Sequence, residues 1–288
     1  MARAKVNGLT IGFDIIGDGR RSWALAPGGR YSRETPGLAQ LAEQLARHDG
    51  RVLIWDRPNC GESDVCFEGS NESNLHADTL AALLEHLDMA PAVLAAGSAG
   101  ARVSLLAESR HPATAKALAL WWPSGGAFEL FVLGNVYCTP SMRECWRTGM
   151  AGVAALPDWA EQITKNPENR QRILDQDPAV FLETMDRWLR AFIPRDDEVI
   201  PGLPDDQLAT IAPPAMVFNS GVSDGNHPRW VSERIAKLLP NARLVDPPWG
   251  DREWHERQAE RDKGIFVRWP LLAPQLTAWA DDVLGTTA

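Results

Sequence analysis

Short apolar runs recur along the chain, and the stretches between them carry apolar residues three and four positions apart. WALAP (23–27), RVLIWD (51–56), AVLAAGS (92–98), KALALWW (116–122), AMVFNSG (215–221) and ARLVDPP (242–248) lack polar alternation, as strands buried on both faces do. Interleaved with them, LAQLAEQLARH, LHADTLAALLEHLDM, ARVSLLAESRH and RWVSERIAKLLP show helical spacing. LTIGFDIIG (9–17) follows Asn7-Gly8, a dipeptide suited to a tight hairpin, so the chain should open with an antiparallel pair. Strands alternating with helices predict an α/β fold, with a mostly parallel central sheet covered by helices on both faces.

One interval breaks the alternation. Between Pro123 and Pro214 no buried-strand run occurs, while DWAEQI, NRQRILDQ and AVFLETMDRWLRAF look helical and prolines punctuate them. We expect a core of residues 1–122 and 215–288, interrupted by a helical insertion over 123–214 that is placed to act as a lid.

Composition narrows the classes of function. The chain has 288 residues and a formal net charge of −9, which repels phosphate backbones and anionic lipid surfaces. Nucleic-acid and membrane partners are therefore not expected. No apolar run approaches the roughly 20 residues of a membrane span, and MARAKVNGLT lacks the apolar segment of a signal peptide. A cytoplasmic protein is the expectation, acting on a small molecule as a monomer or homodimer. Cys60, Cys66, Cys138 and Cys145 show neither a disulfide framework nor zinc-site spacing and read as idle thiols. The glycines after WALAP form neither a dinucleotide-binding run nor a P-loop, so no metal, flavin or nucleotide cofactor is expected.

The chemistry concentrates at Ala96-Gly97-Ser98-Ala99-Gly100, where a buried strand runs straight into a helix. A serine on such a turn needs small neighbours two places away on either side, and it stands at a helix N-terminus whose free N–H groups can receive an oxyanion. Ala96 replaces the first glycine of the usual G-x-S-x-G. AMVFNSGVSD offers Asp224 just past a strand, where a carboxylate can orient a histidine. An Asp-Gly turn is the plainer account of the same residue.

With these residues the chain resembles the α/β-hydrolase superfamily over nearly its whole length, in particular its lid-bearing esterase and carbon–carbon (meta-cleavage product) hydrolase branch. WALAPGGRYS looks like the family's strand and His-Gly loop, with Pro27 where histidine is common, and WDRPNCGESD resembles its D-x-R/P-G-x-G-x-S-D loop through Asp56, Gly61 and Ser63. The resemblance implies an oxyanion hole from the N–H groups of Ala99 and Gly29, with Gly28 as the alternative to Gly29. It also implies a base after the last strand, where an ungapped alignment puts Gly250-Asp251 in place of Gly-His. An aspartate is too acidic to serve efficiently there. Either the loop is longer and His255 is the base, or His227, three residues after Asp224, replaces it, or there is none. His48, His76, His86 and His111 lie in or beside predicted helices flanking the sheet.

The resulting expectation is a serine hydrolase acting through an acyl-enzyme on Ser98, with Asp224 and His255, on a small, largely apolar ester, lactone or vinylogous diketone. A ligand-binding protein on the same fold and a cofactor-free lyase are the alternatives. Twelve tryptophans against two tyrosines is a skewed usage, and Trp121, Trp122, Trp146, Trp159 and Trp188 could line an apolar pocket or simply pack the insertion. Arg30, next to the proposed oxyanion glycines, could pair with a substrate carboxylate or lie on the surface.

Overall fold

The computed structural model describes residues 2–286. In chain order the strands are β1 (Ala2–Val6), β2 (Leu9–Ile16), β3 (Arg21–Ala26), β4 (Gly50–Trp55), β5 (Ala92–Gly97), β6 (Ala115–Trp121), β7 (Ala215–Phe218) and β8 (Ala242–Val245). They form one sheet in the order β1-β2-β4-β3-β5-β6-β7-β8. β1 and β2 pair antiparallel through Val6 and Leu9 across Asn7-Gly8, both at positive φ, and β2 is antiparallel to β4. Every later pairing is parallel.

Alternate strand residues feed opposite faces, as a two-residue period requires. Leu94, Leu118, Leu120 and Val217 pack on one face against α2 (Glu72–His86), α3 (Ala99–Arg110) and α11 (Arg229–Leu238). Val93, Ala95, Ala119 and Phe218 pack on the other against α1 (Leu38–Ala46) and α13 (Ala273–Leu284). β8 differs from its expected character. It pairs on one side only, with β7, and its residues are half-buried or exposed because an edge strand lacks a second neighbour.

Between β6 and β7 lie α4 (Gly126–Tyr137), α5 (Thr139–Thr148), α6 (Met150–Ala154), α7 (Pro157–Lys165), α8 (Glu168–Leu174), α9 (Pro178–Arg190) and α10 (Asp205–Leu208). Most of these helices share a separate apolar cluster that includes Leu133, Met142, Trp159, Ile173, Phe181 and Trp188, which Val65 and Phe67 of the sheet-side loop join. α12 (Glu253–Ala259) follows β8. None of the described helices is long and apolar enough to cross a membrane. All four cysteines are free and buried.

Candidate active site

β5 and α3 meet at Ser98, whose backbone is held at φ 55°, ψ −123°, a costly conformation for a residue with a Cβ. Two close approaches hold it there. A Cβ on Gly100 would come within 2.3 Å of the Ala26 carbonyl oxygen, and one on Gly28 within 2.8 Å of the Ser98 Cβ. Only glycine lets α3 and the 28–29 loop press this tightly against β3 and the serine. The Ser98 N–H donates to the Trp121 carbonyl at 3.1 Å.

Ser98 Oγ lies 3.0 Å from Nε2 of His227, whose Nδ1 lies 3.0 Å from Oδ2 of Asp224. The histidine and the aspartate sit on one loop between β7 and α11. Its geometry follows from the aspartate's other oxygen: Asp224 Oδ1 accepts the N–H groups of Asn226 (3.0 Å) and His227 (2.9 Å), which bends the chain back on its own side chain. Pro228 then opens α11. The imidazole is fully buried, with Trp122 stacked over it at 5.9 Å between ring centroids and the edge of Trp254 against it at 4.4 Å. Trp254 Nε1 donates to Asn226 Oδ1 at 2.9 Å, and the Asn226 amide donates to Glu129 of α4. Glu129 is buried, and desolvation raises its pKa above the ordinary carboxylate value.

His255 does not reach Ser98, contrary to the role expected for it. It lies on the exposed side of α12 while its neighbour Trp254 faces His227, since successive helical residues point about 100° apart. The position that the resemblance leaves to the base holds Asp251, and its carboxylate accepts the Val222 N–H while its backbone carbonyl accepts the Ser223 hydroxyl at 3.4 Å. Asp251 ties the β8–α12 loop to the β7–α11 loop.

Ala99 is the first residue of α3, so its N–H has no acceptor within the helix. Gly28 lies against Ser98, and Gly29 turns at φ 46°. Arg57, fully buried, donates through Nη2 to the carbonyls of Gly28 (3.1 Å) and Gly29. Pinning both carbonyls fixes which way the loop's N–H groups point, a service no motif in the sequence advertised. Asp56 accepts the Arg33 N–H at 2.7 Å and pairs with its guanidinium, and Ser63 Oγ donates to the Asp56 carbonyl at 2.6 Å, which makes this loop a scaffold.

Arg30 is already partnered. Its guanidinium is 3.0 Å from Glu72, donates to the Tyr137 carbonyl at 3.3 Å, and lies 4.8 Å from the ring centres of both Tyr137 and Trp159. A free contact between Arg30 and a substrate carboxylate is therefore corrected: the site is filled from within. Among the tryptophans, Trp122 touches the imidazole and Trp159 walls a cavity of about 360 Å³ that also reaches Gly29, Arg30 and Tyr137. The other three are placed differently. Trp121 packs edge-on against Trp269 beneath the sheet end, Trp188 is buried among the inserted helices, and Trp146 is 68% exposed on α5. No group of His, Cys, Asp and Glu among the described residues could hold a metal ion.

A family model for the alpha/beta hydrolase family matches residues 12–282. The chain belongs to the alpha/beta hydrolase family and is an enzyme of the hydrolase class. It is similar in fold to a thermophilic esterase from Thermogutta terrifontis (21% identity, 98% of this chain and 99% of that one, TM-score 0.60). It is likewise similar to an enol-lactonase from Burkholderia xenovorans (22%, 98% and 99%, 0.58) and a meta-cleavage product hydrolase from Pseudomonas fluorescens (16%, 96% and 97%, 0.58). No curated protein sequence matches it significantly.

Proposed function

We propose that this α/β-hydrolase is a serine hydrolase that cleaves a small ester or lactone through an acyl-enzyme on Ser98. The observation that carries the reading is the unbroken line from Ser98 Oγ through His227 to Asp224, with 3.0 Å at each step. Ser98 Oγ attacks the acyl carbon as His227 Nε2 takes its proton. The bond to the leaving oxygen then breaks, and His227 returns the proton to that oxygen. Water, deprotonated by the same imidazole, attacks the acyl-serine and releases the acid and free Ser98. Asp224 holds the ring so that Nε2 faces the serine and stabilises the imidazolium. The N–H groups of Ala99 and Gly29 receive the oxyanion, each such donor lowering the barrier by about 3 kcal/mol. The inserted helices cover this centre and act as its cap.

The fold resemblance to an esterase and an enol-lactonase supports the substrate class. Against the competing reading, a ligand-binding protein without chemistry, the 3.0 Å approach of His227 to Ser98 supports the hydrolase. Fluorophosphonate labelling followed by intact mass tests the proposal. We expect one adduct per chain on the unchanged protein, none on Ser98→Ala and none on His227→Ala, with full labelling of His255→Ala. An unlabelled wild-type protein, or a labelled His227→Ala, refutes it.

A further inference from the structure

Beside Ser98 the interior is positively charged, in a protein whose net charge is −9. Three arginines lie around Tyr137, Arg57 and Arg102 buried and Arg30 part-buried, and among the described residues only Arg30 of the three forms an ion pair, with Glu72. Arg57 is held by the carbonyls of Gly28 and Gly29, while its Nε and Nη1 have no partner. Arg102 is 2% exposed, yet its guanidinium bonds only the hydroxyls of Ser73 (2.9 Å) and Ser124 (2.9 Å) and lies over the Phe192 ring. Among the described residues no carboxylate forms an ion pair with it. Glu129, the nearest acid on α4, gives one oxygen to Asn226 and is shifted toward its neutral form by burial.

A buried guanidinium with neutral partners is costly and calls for an anion. The position of Arg102 says which one. Its N–H donates to the Ser98 carbonyl at 3.4 Å, so its backbone stands in the first turn of the helix that Ser98 opens. Ser124 follows closely on Trp122, which stacks on His227, and the Tyr137 hydroxyl is 3.7 Å from the Cβ position of Gly29. Arg102 is thus tied through its own N–H to Ser98 and through Ser124 to the segment that carries Trp122. A cavity lined by Gly29, Arg30 and Tyr137 opens on the Tyr137 side of this cluster.

We propose that Arg102 is the specificity determinant for an acyl group that carries its own carboxylate a few carbons from the scissile carbonyl, as in a monoester of a short dicarboxylic acid. The unused N–H groups of Arg57 and the Tyr137 hydroxyl complete the anion site. The proposal rests on the serine hydrolase reading and sharpens its substrate.

The test compares nitrophenyl butyrate with the nitrophenyl monoesters of succinate and glutarate, on the unchanged protein, Arg102→Lys and Arg102→Met. We expect the unchanged protein to favour the acidic esters in kcat/KM, and Arg102→Met to lower the acidic-to-neutral ratio by about thirtyfold or more, as loss of a buried charge partner does. Arg102→Lys should keep part of the preference through its charge. Arg102→Met should melt at the same temperature or higher, because it removes an uncompensated buried charge. A structural arginine would give the opposite pair, a lower Tm with an unchanged ratio, and would overturn the proposal. Should Arg102→Met fail to fold, protection of Ser98 from fluorophosphonate by free glutarate in the unchanged protein decides instead, and absence of protection overturns it. Labelling of Ser98 together with a preference for the neutral ester refutes this inference alone; absence of labelling refutes the hydrolase reading beneath it.

Discussion

Two loops leave neighbouring strands at the same end of the sheet, and they divide the work unevenly. The loop after β7 holds Asp224 and His227 three residues apart, folded around one carboxylate so that carboxylate and imidazole arrive together. The loop after β8 holds Trp249 and Asp251 and leads into α12 with Trp254; two of the three, Asp251 and Trp254, serve the first loop. Asp251 fastens it from behind, Trp254 packs on the imidazole and bonds Asn226, and Trp249 packs on Trp122. Which histidine reaches Ser98 is thus set by loop geometry, not by which strand comes last. Once a compact D-G-N-H turn delivers an imidazole to Ser98, the later loop is free to act as a brace.

The largest predicted effect separates the two loops directly. His227→Ala should lower kcat on a small ester by about 10⁴-fold or more, the scale of losing a triad member, while His255→Ala leaves it unchanged. Equal losses in both would mean that the β8–α12 loop also delivers a base. Adding Asp251→His to His227→Ala should restore nothing, because that side chain is aimed at the backbone of Val222. Recovery of activity would show that the second loop can still present a base to Ser98. Next in size, Arg57→Met should cost on the order of a hundredfold in kcat by freeing the carbonyls of Gly28 and Gly29, the magnitude of a lost oxyanion donor. An unchanged kcat with lower stability would reduce Arg57 to packing.

Most of the sheet was legible because buried parallel strands write themselves as continuous apolar runs, and the Ser98 turn because sterics demand small residues around it. β8 was misread as fully buried, since an edge strand and a central strand share composition and differ only in having a second partner. α4 has no apolar stripe, being apolar on nearly every side with Phe128 and Phe131 exposed, so helical period could not expose it. Chain order points to His255 while the geometry brings His227 to Ser98, because nothing in a linear sequence says that Asp224 caps its own loop. Glu129, Asn226, Arg57 and Arg102 were missed altogether. Their signal was a polar residue inside an apolar or motif-bearing stretch, the sign of a buried group with a partner to find.

Smaller perturbations grade the brace. Trp254→Ala removes the edge contact on the imidazole and the bond to Asn226, and kcat should fall roughly tenfold to a hundredfold, the range that loosened positioning costs. KM should change less. A fall in KM-linked binding with kcat intact would place Trp254 on the substrate instead. Asp251→Ala cuts the tie between the loops at an exposed site, so Tm should drop by only a few degrees. Activity at the optimum temperature should follow it down modestly. A large drop in kcat at low temperature would give Asp251 a role beyond bracing.

The smallest effect at neutral pH concerns the other deeply buried histidine, and it separates a structural imidazole from a working one. His76 sits in α2 with its ring N–H donating to the Pro58 carbonyl at 2.9 Å, and burial pulls its pKa down to about 3, against a partial counter-effect from Glu72. Above about pH 6.5 the ring is neutral in both folded and unfolded chains, and it adds no pH dependence. Below that, the unfolded chain takes up a proton that the folded protein refuses until about pH 3, so stability falls as pH falls through this window, by at most about 1.4 kcal/mol per pH unit. His76→Gln keeps a donor for the Pro58 carbonyl and cannot titrate. Urea midpoints measured from neutral pH down to about pH 4 should therefore decline more gently in His76→Gln than in the unchanged protein, with ester hydrolysis at neutral pH the same in both. Parallel declines would move the acid sensitivity to the buried carboxylates around Arg33 and Arg30, and a loss of neutral-pH activity would mean that α2 positions the Ser98 site more tightly than its hydrogen bonds indicate.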